Sequence, residues 1–207
     1  MIVYVARHGE TDWNRAGRYQ GQRESDLTPV GRLQAAALAR ALAARPIDAI
    51  VSSPLRRCTQ TAAELSRLCD LPVRCDDRLS EIAHGTWEGR LREEIEQEDA
   101  SRYAAWRLQP DTVSFPGGES LRAVLERWRA FADSLTGNAV AVYTHDVLVR
   151  LAILDASQRG PERLWEPRVL NGAYAHFEVE SGIWHLVHEC VDAHLEGLLI
   201  EPSAQAL

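Results

Sequence analysis

The sequence of 207 residues has no apolar run near the roughly 20 residues that a membrane-spanning helix needs, and no basic or apolar leader before its first strand. Its four cysteines form no C-x-x-C pair and fall far short of a disulfide scaffold, so we expect reduced thiols. Positive charge is not in excess either. The net charge of −7 argues against nucleic acid and anionic membranes as partners. Together these absences predict a cytoplasmic protein.

The composition is ordinary for a globular protein, with 45% hydrophobic and 26% charged residues and no internal repeat or low-complexity linker. A chain of this length can bury one substantial core. We therefore expect a single domain over residues 1–207, with a charged, helical, lid-like insertion around residues 90–120. The tail from Pro202 is expected to be disordered.

The most informative stretch is an apolar run over residues 2–6 that stops abruptly at Arg7-His8-Gly9. A run without polar alternation suits a strand buried on both faces, in a parallel sheet covered by helices. The sequence thus predicts an α/β fold, a three-layer α/β/α sandwich with a mostly parallel central sheet. Ligands of such sheets gather at the carboxyl ends of the strands, where Arg7 and His8 would lie. Taken alone, the pair also suits a solvated loop with a structural histidine.

Histidine or arginine side chains also follow two further predicted strands. Residues 139–143 form an apolar run that stops before His145, and residues 47–52 precede a helix with Arg56 and Arg57 in its first turn. Cations at a helix N-terminus oppose the helix dipole, but with the free N–H groups they suit a bound anion such as phosphate. Each residue also has an ordinary interpretation, a core histidine for His145 and a surface cation for Arg57.

Several short motifs follow one another in an order that resembles the histidine phosphatase superfamily, which includes cofactor-dependent phosphoglycerate mutases and many small phosphatases. The resemblance spans nearly the whole chain. The motifs are Arg7-His8-Gly9-Glu10-Thr11 with Asn14, Leu27-Thr28 with Gly31 and Gln34-Ala35, Ser52-Ser53-Pro54-Leu55-Arg56-Arg57 with Gln60-Thr61-Ala62, Glu81 with Trp87-Glu88-Gly89, Pro116-Gly117-Gly118-Glu119-Ser120, and His145.

The resemblance implies a role for each matched residue. His8 would be the nucleophile that accepts the phosphoryl group, and Glu81 the acid that protonates the leaving alkoxide and later takes a proton from water. The groups that would hold the phosphoryl oxygens are Arg7, Arg57 and His145, with further donors from Asn14, Gln20 and Gly21. Because these groups stabilise the phosphoryl charge themselves, the resemblance implies neither a metal nor a cofactor.

Asp146 departs from the family pattern, which most often has a glycine or another small residue after the second histidine. Two roles are open for it. It could cap the helix that follows, or it could contact the substrate and repel a second phosphate or carboxylate. Glu24 likewise stands where an aspartate is usual, and Arg56 is a further candidate substrate contact.

Three residues near the end of the chain, His185, His188 and Cys190, are of types that bind zinc. On a strand, however, the two histidines would face opposite sides of the sheet. We therefore expect no metal site there.

The function predicted from this resemblance is a metal-independent phosphatase of the histidine acid phosphatase type, which hydrolyses a small phosphorylated metabolite through a covalent phosphohistidine. A mutase of the phosphoglycerate type is an alternative, but the segment over residues 90–114 is shorter than the insertion typical of mutases. A second alternative is a non-enzymatic sensor of a phosphorylated ligand. Such a sensor would usually have lost the nucleophilic histidine or the acid, whereas this sequence keeps both His8 and Glu81. The sequence names no substrate and leaves a homodimer open.

Overall fold

A computed structural model describes residues 1–199, whose six strands form one sheet flanked by helices. The prediction of a disordered tail from Pro202 falls outside the described residues. No helix within residues 1–199 is long and apolar enough to cross a membrane.

The sheet is mostly parallel, as predicted. Its strands are β1 (Ile2–Arg7), β2 (Ala49–Ser52), β3 (Val73–Cys75), β4 (Ala139–Thr144), β5 (Tyr174–Glu180) and β6 (Ile183–Val191). Their order is β3-β2-β4-β1-β5-β6, in which the first four are parallel to one another and the β1–β5 and β5–β6 pairs are antiparallel. A turn at Ser181-Gly182 joins the last two strands.

Helices cover both faces of the sheet, which confirms the three-layer sandwich. The α-helices are α1 (Asp12–Arg15), α2 (Pro29–Ala43), α3 (Arg56–Cys69), α4 (Arg92–Glu98), α5 (Ala100–Leu108), α6 (Leu121–Ser134) and α7 (Asp146–Ala156). Alternate residues of β1 point to opposite layers. Val3 and Val5 belong to the core cluster of α6 and α7, whereas Tyr4 and Ala6 belong to that of α2 and α3.

The loop after β1 packs directly against the start of α2. Thr28 caps this helix by accepting a hydrogen bond from the N–H of Gly31 at 2.9 Å. A side-chain carbon on Gly31 would lie only 2.0 Å from the carbonyl oxygen of Glu10. Glycine is therefore needed here for two backbones to touch, and this contact fixes the course of the chain just after His8.

The segment around residues 90–120, predicted to be helical, contains two short helices, α4 and α5. Their charged residues face outward, but Ile95 and Trp106 are fully buried in the same cluster as α6 and α7. The indole N–H of Trp87 also donates to Asp99 at 2.9 Å, at the junction of the two helices. The segment is thus built into the core. Its action as a lid stays a prediction.

Candidate active site

The carboxyl ends of three neighbouring strands meet at one edge of the sheet and carry the predicted site residues. In the parallel registers Arg7 of β1 lies level with Thr144 of β4, and Ser52 of β2 lies level with Tyr143. The residues that follow each strand converge on one small cavity. Its walls are formed by Arg7, His8, Asn14, Gln20, Gly21, Arg57, Glu81, His84 and Val147. The sequence predicts all of these except His84 and Val147.

His8 is buried and held in one tautomer. Its Nδ1 lies 2.7 Å from the carbonyl oxygen of Gly9, and because a carbonyl can only accept, Nδ1 carries the proton. Nε2 is then the nitrogen with the free electron pair. Burial, followed by the guanidinium groups of Arg57 and Arg7, lowers the pKa of His8 well below its usual 6.5. The ring is therefore neutral near pH 7, as a nucleophile requires.

Arg57 reaches the cavity from the first turn of α3 and binds the loop that follows α1. Its Nη2 donates to the carbonyl oxygen of Gly21 at 2.7 Å and its Nη1 to that of Arg23 at 2.9 Å. With Arg7 it places two buried guanidinium groups beside His8. Burial lowers the pKa of both, but an arginine stays protonated at any ordinary pH. The cavity is therefore suited to an anion.

His145 follows β4 and is fully buried, and both of its ring nitrogens contact protein groups. Arg57 Nε donates to Nδ1 at 3.2 Å, so Nε2 carries the proton and donates to the Ser53 hydroxyl at 2.8 Å. Its pKa is lowered by burial first and by Arg57 next. In this structure His145 holds Arg57 in place. A contact of His145 with phosphate would replace one of these two hydrogen bonds, and it stays a prediction.

Glu81 lines the cavity with a carboxyl group that is 7% exposed. Burial first, and the nearby carboxylate of Asp146 next, raise its pKa to about 7, against the opposing effects of the Ile82 N–H and of Arg57 and Arg7. A substantial share of Glu81 thus stays protonated at neutral pH. Arg127 of α6 fixes the backbone there by donating to the Glu81 carbonyl at 3.2 Å. Glu81 therefore has the protonation state and the fixed position of a general acid.

Three predicted donors, Asn14, Gln20 and Gly21, lie on the cavity wall. The Thr11 hydroxyl lies 3.0 Å from the side-chain oxygens of both Asn14 and Gln20. Because those oxygens face Thr11, the amide NH₂ groups are the donors that a phosphate in the cavity could use. Gly21 has a φ of +52°, and a side-chain carbon there would lie 2.0 Å from Glu88 Oε1, so any other residue would strain the backbone and displace Glu88.

His84 lines the cavity although the sequence does not single it out. The ring is 4% exposed, lies edge-on to Tyr19 and Phe115, and neither of its nitrogens has a hydrogen-bond partner among the described residues. Burial and Arg57 lower its pKa to about 3, so it is neutral. Its place just before Gly85, within the segment that contains Glu81, is the signal that could have revealed it. His84 can offer a substrate a neutral donor or acceptor.

Asp146 does not have the first of the two roles considered from the sequence. It is the first residue of α7, whose N-cap is His145, so the prediction of a cap is wrong. Its carboxylate is 1% exposed and lies between Arg7 and Arg150, which take it up from β1 and from α7. It is not among the residues of the cavity wall, and its contact with a substrate stays a prediction. Arg56 is likewise engaged outside the cavity, near Glu24 and Asp26.

No group of three or more histidine, cysteine, aspartate or glutamate side chains within residues 1–199 is arranged to hold a metal ion. His185 and His188 are both exposed on β6. They lie on the strand at the far edge of the sheet, two strands away from β1 and His8.

Comparison with known proteins shows the same family over nearly the whole chain. The profile of the histidine phosphatase superfamily (branch 1) matches residues 3–191. Phosphoserine phosphatase 1 of Hydrogenobacter thermophilus is 32% identical over 96% of both chains. The adenosylcobalamin/alpha-ribazole phosphatase of Salmonella typhimurium is 30% identical over 92% of this chain and 91% of its own. YhfR of Bacillus stearothermophilus superposes with a TM-score of 0.88 at 30% identity, over 94% of this chain and 98% of its own.

Proposed function

The chain belongs to the histidine phosphatase superfamily (branch 1), and on that basis we propose that it hydrolyses a small-molecule phosphomonoester through a phosphohistidine at His8. The observation that carries the proposal is the state of His8. It is a neutral imidazole whose Nδ1 is held by the Gly9 carbonyl, on the wall of a cavity that also presents two guanidinium groups. Relatives of this chain are named as phosphatases of small phosphorylated metabolites, which supports the same reaction class.

In the first half of the reaction, Nε2 of His8 attacks the phosphorus atom and the bond to the ester oxygen breaks. Glu81 gives its proton to the leaving oxygen, which departs as an alcohol. Arg7 and Arg57 stabilise the charge on the equatorial oxygens. In the second half, the Glu81 carboxylate takes a proton from water, whose oxygen attacks phosphorus as the bond to Nε2 breaks. Inorganic phosphate is released and Glu81 is protonated again.

The first test is a panel of phosphomonoesters with the purified protein, assayed with and without a chelator. We expect hydrolysis of at least one ester at an unchanged rate in EDTA, because the groups that stabilise charge here are protein cations. Loss of turnover in EDTA that a divalent metal restores would refute the metal-free mechanism. Transfer of the phosphoryl group to a sugar or glycerate hydroxyl, with no free phosphate, would support a mutase instead.

We further propose that His84 contacts the leaving group of the substrate, because its neutral ring lines the cavity with both nitrogens unpartnered among the described residues. His84→Phe should fit among the surrounding aromatic rings and remove only the polar atoms. We expect kcat/KM for an ester with a polar leaving group to fall about tenfold, the value of one hydrogen bond. The rate with p-nitrophenyl phosphate should change much less.

The matched control for this variant is His185→Phe, at an exposed position on β6. It should leave both substrates unaffected. An equal loss on the polar ester and on p-nitrophenyl phosphate in His84→Phe would show that the ring supports the cavity without contacting the leaving group.

A further inference from the structure

A chain of buried charges runs behind the cavity wall, from Arg7 through Asp146 to Arg150. Asp146 Oδ1 lies 3.2 Å from Arg7 Nη1, and Asp146 Oδ2 accepts a hydrogen bond from Arg150 Nε at 2.6 Å. The carboxylate is 1% exposed, and both arginines are buried. Arg7 lines the cavity and Asp146 does not, so the contact of the Asp146 carboxylate with the cavity wall is its ion pair with Arg7.

Arg150 anchors this chain to the segment that follows α7. Its Nη1 donates to the carbonyl oxygens of Leu164 and Pro167, and its guanidinium lies over the ring of Trp165 at 5.3 Å. These contacts engage Nη1, while Nε and Nη2 of Arg150 both bond to Asp146, and together they hold the Asp146 carboxylate against movement away from Arg7. Asp146 and Arg150 therefore fix the position of the Arg7 guanidinium from the side that faces away from the cavity.

Asp146 also acts on Glu81 through its charge. The charged and titratable groups on the elements around the cavity include Arg7, Arg57, Arg127, Arg150, Asp146, Glu24, Glu88, Glu119, the thiol of Cys58, the phenol of Tyr19 and the imidazoles of His8, His84 and His145. Of these, Asp146 has the largest electrostatic effect that raises the pKa of Glu81, whereas Arg57 and Arg7 lower it. Without the carboxylate, burial would be the main effect left to oppose the guanidinium groups, and the pKa of Glu81 would be lower.

We propose that Asp146 is a positioning residue of the reaction, whose buried carboxylate fixes Arg7 at the cavity wall and places a negative charge beside the cations that line the cavity with Glu81. This inference rests on the proposed function. The carboxylate has two guanidinium partners, and its charge favours the protonated form of Glu81. In this role Asp146 touches neither the substrate nor His8.

The test is Asp146→Asn, which keeps the shape of the side chain and removes its charge. We expect kcat on an alkyl phosphate at pH 7 to fall about tenfold or more, with a smaller change in KM, since small misplacements of a charge-stabilising group are costly. The basic limb of the kcat profile should move to lower pH, because Glu81 would lose its proton more easily. Infrared spectroscopy can follow the protonation of Glu81 without any turnover, with its carboxyl band identified by the loss of that band in Glu81→Gln. In Asp146→Asn this band should titrate at a lower pH.

Two control variants separate this role from a structural one. Asp155→Asn removes another carboxylate of α7, which pairs with Arg129 at 2.6 Å far from the cavity, and should change nothing in the profile. Arg150→Met should lose stability but keep the Arg7–Asp146 pair. The basic limb of its kcat–pH profile should therefore not move to lower pH. If Asp146→Asn does not fold, Asp146→Asn/Arg150→Met removes opposite charges together and should show the same shift.

The inference would be overturned if a folded Asp146→Asn variant kept both the basic limb of the kcat–pH profile and the infrared titration of Glu81 at their wild-type pH. The same downward shift in Arg150→Met would overturn it too, since the effect would then follow from loosened packing. A wild-type protein that hydrolyses no ester would refute the proposed function instead. In that case the infrared titration still decides whether Asp146 controls the protonation of Glu81.

Discussion

Replacing His8 with alanine is expected to lower the turnover of any phosphomonoester by about a thousandfold or more, while the fold stays intact. The reason is the absence of an equivalent nucleophile beside it. The nearby ring of His145 lies 5.2 Å away between centroids, but its two nitrogens contact Arg57 and Ser53. The side chain of His8 hydrogen-bonds only to the neighbouring Gly9 carbonyl among the contacts described, so its removal should cost little stability.

The measurement is intact-protein mass spectrometry after a rapid quench that avoids acid, since phosphohistidine is acid-labile. Wild-type protein mixed with substrate should gain one phosphoryl group, and His8→Ala should gain none. His188→Ala, at an exposed histidine on β6, is the matched control and should behave like the wild type. An adduct that survives in His8→Ala would assign the nucleophile to another residue.

Replacing Glu81 with glutamine is expected to lower the turnover of alkyl phosphates by roughly 10²–10⁴, the usual effect of a positioned general acid. The raised pKa of Glu81, to about 7, means that the wild-type phosphorylation rate should fall as the pH rises through about 7. Glutamine cannot supply a proton, so this basic limb should disappear in the variant. p-Nitrophenyl phosphate, whose leaving group needs little protonation, should lose much less in its phosphorylation step.

Single-turnover measurements on both substrates, across a pH series, separate these effects. Glu98→Gln changes an exposed carboxylate that pairs with Arg90 on the surface, and it should leave both rates unchanged. Equal losses on the alkyl and the nitrophenyl ester in Glu81→Gln would contradict the role of Glu81 as proton donor.

The strand ends of the site could be predicted because they depend on local pattern. Apolar runs that stop at polar residues mark where β1 and β4 end, and parallel packing brings such ends to one edge of the sheet. Thr28 and Ser120 could likewise be recognised as helix caps, since a cap bonds to a backbone N–H only three residues away. The fold class and the placement of Arg7, His8 and Arg57 follow from rules of this short range. Glu81, Asn14, Gln20 and Gly21 are identified only by the resemblance to the family.

The roles of Asp146 and His145 could not be predicted, because they depend on which distant side chains lie beside them. Asp146 contacts Arg7 only because the register of β1 against β4 places Arg7 level with Thr144. The tautomer of His145 depends on Arg57 Nε, which is 88 residues away in the sequence. No single-sequence pattern encodes a register between strands or the direction of one guanidinium.

The position of β4 between β1 and β2 has a consequence for the chain as it leaves the ribosome. β1 and β2 pair with the same central strand, yet about 85 residues separate the end of β2 from the start of β4. Until β4 has been synthesised, both early strands have an unpaired edge, and such edges invite pairing with other chains. The growing polypeptide therefore depends on delayed insertion of one strand, and its risk of aggregation should be greatest before that insertion.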